Sequence, residues 1–198
     1  LSIRRQRQMC IRDRGKFNMI EGSGIVMRNI IMDGNGAAVK RMFSYEDGTT
    51  AKEFKIEASE IRGYKEGIFV ISNPSKPITV DAITINNCLV YDIACNGGDL
   101  LDSRSGTIKK LTITNNTFYN CSQVKAREFI RIDGTEDKKP WNPKITEYSI
   151  KLENNTIVGA ANTFNRLMYV RYPGAKVTMK SNLCLLYTSP SPRDTERS

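Results

Sequence analysis

Apolar and polar residues alternate along most of this chain, and the alternation restarts at regular intervals. LTITNNTFYN (111–120) and IKLENNTIVG (150–159) show the unit: alternating apolar residues, two asparagines, a polar residue and a further apolar one. With the first asparagine as anchor, six positions align: Asn29, Ala58, Asn87, Asn115, Asn154 and Ser181. Two residues before them stand Met27, Ile56, Ile85, Ile113, Leu152 and Met179. Four before stand Ile25, Phe54, Ile83, Leu111, Ile150 and Val177, and three after the first five stand Met32, Ile61, Val90, Phe118 and Ile157. Successive anchors are 29, 29, 28, 39 and 27 residues apart. The long step holds GTEDKKPWNPKITEY (134–148), a polar, Pro-containing stretch that reads as an inserted loop.

A repeat of this length with period-2 alternation predicts stacked strands. No segment keeps a helical period long enough for βαβ units, and a unit with one short apolar face cannot bury it alone, so neighbours must stack. About six coils at ordinary strand spacing would rise roughly 29 Å. Asparagine at the anchor suits a sharp turn, because it tolerates the left-handed backbone region and bonds to nearby main chain. Stacked from coil to coil, such side chains can form a hydrogen-bonded ladder. Ile56, Ile85, Ile113, Leu152 and Met179 are expected to form one continuous inward stack.

A second strand follows each anchor: MFSYE (42–46), IFVIS (68–72), LLDSR (100–104), FIRID (129–133) and LMYVR (167–171). Alternation directs Phe43, Phe69, Leu101, Ile130 and Met168 inward, and with them Tyr45, Ile71, Ser103, Ile132 and Val170. The first apolar residue of each strand falls at a corner. The outward rows become Ser44, Val70, Asp102, Arg131, Tyr169 and Glu46, Ser72, Arg104, Asp133, Arg171. Asp102 then neighbours Arg131 one coil on, and Asp133 lies between Arg104 and Arg171. Such rows support three readings: a solvated cross-strand charge ladder, a glycan-contacting face, or a catalytic one.

Coils ending in TITNNTFYN and KLENNTIVG, with the charged strand GGDLLDSR, resemble right-handed parallel β-helix proteins of the pectate-lyase-like superfamily. The chain is most similar there to chondroitinase B and alginate-lyase-type polysaccharide lyases and to secreted bacterial relatives, over residues 24–183. The resemblance implies an all-β, single-stranded right-handed solenoid. It also implies an extracellular or cell-surface protein, its signal peptide outside this sequence, that binds or processes carbohydrate, with elimination on an acidic polysaccharide as the reaction. The alternative is a non-catalytic structural or glycan-binding domain of a larger surface protein. By the same resemblance Lys125, Arg131 and Arg104 take the catalytic roles of managing a proton and neutralising a uronate, which stabilises the charge developing at C5. Asp102, Asp133, Tyr169, Arg171 and Trp141 take substrate contacts, Trp141 from the inserted loop. The residues assign no metal ligand and leave the cofactor open; the resemblance admits Ca²⁺.

Charge and composition adjust this picture at the ends. RRQRQMCIRDR (4–14) and CLLYTSPSPRD (184–194) resemble the two arms of a sequencing adapter in translation, since Met9–Asp13 and Cys184–Thr188 can be encoded by reverse-complementary DNA. Residues 1–14 and 184–198 are therefore expected to be adapter-derived and residues 15–183 a β-helix fragment truncated at both ends. Residues 1–14 and 188–198 should contact the solenoid little, while Cys184–Tyr187 can mimic a strand. Of the formal charge of +9, residues 1–14 carry +4 and residues 184–198 none, which leaves +5. That mild excess suits an anionic glycan. Nucleic acid is disfavoured, because the basic residues alternate with acids and aromatics are few. GSG (22–24) and GNG (34–36) lack the Lys-Ser/Thr sequel of a phosphate loop. The chain holds no histidine and no run long enough to span a bilayer. Cys88, Cys95 and Cys121 lack a metal-type spacing and read as small buried apolar residues, with a disulfide as the other reading. A monomer is expected.

Overall fold

The computed structural model describes residues 9–11, 17–19, 24–45, 47–72, 75–95, 100–104, 106–121, 128–133, 147–158, 166–172 and 174–185. Among them there is no helix. The chain lays down β1 (Met9–Ile11) and β2 (Phe17–Met19), then repeats a triplet. The triplets are β3 (Ile25–Arg28), β4 (Ile30–Asp33) and β5 (Arg41–Tyr45); β6 (Thr50–Glu57), β7 (Glu60–Arg62) and β8 (Gly67–Ser72); and β9 (Thr79–Asn86), β10 (Leu89–Tyr91) and β11 (Leu101–Arg104). Then come β12 (Thr107–Thr114), β13 (Thr117–Tyr119) and β14 (Glu128–Asp133); β15 (Ser149–Glu153), β16 (Thr156–Val158) and β17 (Arg166–Val170); and finally β18 (Lys176–Lys180) and β19 (Leu183–Leu185).

Each strand pairs in parallel with its counterpart in the neighbouring coil, on both sides except at the ends of the sheets. The described residues thus form three sheets, ordered β18-β15-β12-β9-β6-β3, β1-β4-β7-β10-β13-β16-β19 and β17-β14-β11-β8-β5-β2. This is a parallel β-solenoid. The register is the one the anchors imply: Ile113 pairs with Ile85 on one side and Leu152 on the other. Ile56, Ile85, Ile113 and Leu152 are fully buried. Met179 continues the row on β18 but is 49% exposed, because that strand has a described neighbour on one side only.

All six anchors have positive φ, between 46° and 59°. The residue after the anchor forms the ladder. Asn116 Nδ2 donates to Asn155 Oδ1 at 3.0 Å and to the Ile85 carbonyl at 2.9 Å, and its own Oδ1 accepts the Cys88 amide at 2.8 Å. Asn155 does the same one coil on: its Nδ2 donates to Asn182 Oδ1 at 2.9 Å and to the Ile113 carbonyl at 2.9 Å. Asn116 and Asn155 are buried, so these bonds satisfy main-chain groups that the sharp turn removes from the sheets. A second left-handed corner, five residues after the anchor, was not anticipated: Gly63, Asp92 and Asn120 have φ of 70°, 52° and 51°. Glycine, Asp and Asn at that offset were its signal in the sequence.

Met42, Ile68, Leu100 and Phe129, placed at corners, are fully buried. Cys88, Cys95 and Cys121 are buried and free. At the ends, Leu183–Leu185 pairs with β16 and Met9–Ile11 pairs with β4. Three residues of the segment expected to contact the solenoid little are thus placed as a strand. The exposed edge of a sheet offers unpaired main-chain groups to any extended segment. Residues 1–8 and 186–198 lie outside the described residues.

Candidate functional site

β11, β14 and β17 carry the charged rows expected from alternation, in the expected register. Asp102 pairs with Arg131, Arg131 with Tyr169, and Arg104 with Asp133. The inward partners Leu101, Ser103, Ile130 and Ile132 are buried, and they hold the strand so that the charged side chains leave the core. Lys125 and Trp141 lie outside the described residues.

Two features differ from a solvated ladder. First, the outward carboxylates are buried: the side chains of Asp102 and Asp133 are 2% and 0% exposed. Second, the short ion pairs of Asp102 and Asp133 run along their own strands. Arg104 Nε donates to both Asp102 oxygens, at 2.9 and 3.1 Å. Arg131 Nη2 donates to Asp133 Oδ2 at 2.8 Å. Across coils, Arg171 Nη1 lies 3.9 Å from Asp133 Oδ1. Residues two apart on a strand share a face and a fixed separation, which suits a guanidinium reaching back over its neighbour. A buried carboxylate requires such a partner, since an uncompensated buried charge is costly.

Burial nonetheless prevails at Asp102. It pushes the carboxyl above its ordinary range despite the opposing hydrogen bonds from Arg104 and the nearby Arg131 charge.

Glu128 and Arg166 belong to the same site and were missed in the sequence. They pair in register and by their charges, with Glu128 buried. Their parity matches the inward row of Ile130 and Met168, so alternation assigned them no outward role. They stand at the start of their strands, at the corner. Arg166 and Arg131 both stack on Tyr169, with guanidinium carbons 4.7 and 5.5 Å from the ring centroid. Three buried carboxylates therefore orient four guanidiniums. Exposure of the arginine side chains rises from 12% at Arg131 and 26% at Arg104 to 41% at Arg171 and 56% at Arg166.

This donor set does not fit Ca²⁺. The carboxylates of Asp102, Asp133 and Glu128 face guanidiniums, which would repel a divalent cation. No group of three acidic, Cys or His side chains among the described residues could hold a metal ion. The arrangement can instead present oriented, planar N–H donors to an anion. No helix of the described residues is long and apolar enough to cross a membrane.

No curated protein and no solved structure matches the chain. A family model does match, over residues 1–121. It takes in Asp102 and Arg104 and ends before Arg131, Asp133, Tyr169 and Arg171. That range exceeds half of the 198 residues, and the chain therefore belongs to the family described as "Domain of unknown function (DUF4957)".

Proposed function

We propose that this β-solenoid is an extracellular or cell-surface module that binds acidic polysaccharide along β11, β14 and β17. The observation that carries the reading is the set of four guanidiniums held by buried carboxylates on one rigid face, with Tyr169 among them. Each carboxylate holds an arginine in place before any ligand arrives, which lowers the ordering cost of binding. Arg104, Arg166 and Arg171 keep part of each side chain in solvent, where a uronate carboxylate can accept two N–H bonds. Tyr169 offers a ring beside them for the apolar face of a sugar. Binding needs only these groups, whereas elimination needs a proton acceptor as well; Lys125 is the candidate for that role.

The test is calorimetric titration with polygalacturonate, alginate and chondroitin sulfate, alongside an absorbance assay for unsaturated products. One of these polymers should bind, with affinity falling as salt rises. Arg104→Ala and Arg171→Ala should each weaken binding by about tenfold, the effect of losing one charge-assisted pair. Binding that ignores both substitutions places the glycan elsewhere. Unsaturated products that vanish in Lys125→Ala make the protein a lyase.

A further inference from the structure

The outer side of the sheet that contains β3, β6, β9, β12, β15 and β18 divides by charge into two halves. β3, β6 and β9 carry Arg28, Lys52 and Lys55 against Glu53, Glu57 and Asp81, and the charges cancel. All three bases are paired: Arg28 and Lys55 with Glu57, at 2.6 and 2.9 Å, and Lys52 with Asp81 at 3.1 Å. β12, β15 and β18 carry Lys109, Lys110, Lys151, Lys176 and Lys180 against Glu153, a net charge of +4. Lys109 reaches Asp81 one coil back, and Lys151 pairs with Glu153 along its own strand at 2.8 Å. Lys110, Lys176 and Lys180 are exposed and make no ion pair or hydrogen bond among the described residues. Glu147, two residues before β15, is exposed at the rim of this half.

The register sets these lysines in a regular array. Lys110, Ser149 and Lys176 stand in one row, Thr112, Lys151 and Thr178 in the next, and Thr114, Glu153 and Lys180 in the third. Lys110, Lys176 and Lys180 therefore each lie on a diagonal from Lys151, one strand over and two residues along. Strand spacing and rise make that step roughly 8 Å between backbones, about one Debye length at physiological salt. The fields of the four ammonium groups thus overlap, and they attract an anionic partner as a group. Between them the rows hold Thr112, Ser149 and Thr178, short side chains that leave the longer lysine stems standing beyond the sheet.

This face differs in kind from the arginine-rich one. There, four guanidiniums stand against three buried carboxylates that fix their planar donors in place. Here most of the charge is uncompensated, and each ammonium is a point charge on a flexible stem, which reads charge density and not shape. None of the outward residues of β12, β15 and β18 is aromatic, so a sugar ring has no flat apolar surface to stack on. What the face offers is a plane of positive charge. We infer that the outer face of β12, β15 and β18 is a docking surface for an anionic lipid bilayer, whose phosphate headgroups also present their charge in a plane. The solenoid then lies on the membrane by its side, held by charge alone. This surface stands whether or not β11, β14 and β17 bind acidic glycan.

The experiment is co-sedimentation of the full chain with vesicles of phosphatidylcholine and phosphatidylglycerol in equal parts, and with vesicles of phosphatidylcholine alone. The protein should bind the first and not the second, and binding should weaken as salt rises. A lysine near an anionic bilayer strengthens binding about fivefold. The triple substitution Lys110→Ala, Lys176→Ala and Lys180→Ala should therefore weaken it by about a hundredfold. Lys40→Ala, Lys65→Ala and Lys76→Ala together remove the same charge from exposed positions outside these strands, and should weaken binding by less than about tenfold. Arg104→Ala should leave vesicle binding unchanged even where it weakens binding of an acidic glycan, which keeps the two surfaces distinguishable. An unchanged melting temperature verifies the fold of each variant, and glutamine replaces alanine at the same three positions if the first triple variant does not fold. Four results overturn the proposal. They are no binding to the anionic vesicles, equal binding to both kinds of vesicle, equal loss in the two triple variants, and vesicle binding lost with Arg104. Capture of dextran sulfate through Lys110, Lys176 and Lys180, with vesicles ignored, would make this a surface for an acidic polymer and overturn it as well.

Discussion

At the scale of single residues, the corners decide how the chain folds back. Ala58 occupies an anchor with φ 46°, a conformation that costs a non-glycine residue about 1–2 kcal/mol. Asparagine tolerates it better, so Ala58→Asn should stabilise the protein by about 1 kcal/mol in urea unfolding. Asn116 is the opposite case. It is buried, it accepts the Cys88 amide and it donates to the Ile85 carbonyl. Asn116→Ala leaves both main-chain groups without that partner and should cost about 3 kcal/mol, measured in the same way. The asparagine pair was legible as a turn from its spacing and residue type. Which asparagine turns the backbone and which forms the buried ladder was decided by the tertiary fold, since both residues carry the same side chain.

At the scale of strands, the charged face couples burial to pH. Asp102 on β11 has its carboxyl held above the ordinary 3.8 by burial. A carboxyl raised in the folded state contributes stability that is fully present below 3.8 and lost as pH rises through the folded-state value. Asp102→Asn removes that loss. The stability of the variant relative to the parent protein should therefore increase as pH rises from about 4 to 7, followed by urea unfolding at each pH. If the relative stability falls over that range, the hydrogen bonds from Arg104 outweigh burial. The register of this strand, Leu101 beside Ile130 and Asp102 beside Arg131, was readable from alternation. The burial of Asp102 and Asp133 was not, because period 2 reports only which side of a strand a residue leaves.

At the scale of the whole molecule, each coil contacts only its neighbours, so the cost of a core substitution depends on its place in the stack. Ile113 is fully buried between Ile85 and Leu152. Ile113→Ala should cost about 3 kcal/mol and Ile113→Asp should prevent folding. Met179 belongs to the same row on the terminal strand and is half exposed, so Met179→Ala should cost less than about 1 kcal/mol. Circular dichroism under urea separates these outcomes. Equal costs at both positions would mean that the row is not graded along the solenoid.

The sequence by itself determined the solenoid, two strands of its coil and their register, while the short third strand just past each anchor came from the structure. A repeat of about 29 residues with an anchor that tolerates a left-handed turn leaves one way to stack the apolar rows, and a slip by one residue would turn every one of them outward. Tertiary structure alone decided what the outer side chains do. Arg104 turns back to Asp102 on its own strand, Glu128 and Arg166 join the charged face from a corner, and Tyr91 stacks on Tyr119 while accepting a hydrogen bond from Arg62. Those outcomes depend on how far a side chain reaches and on what lies across the neighbouring coil. Neither distance is written in the spacing of residues along a chain.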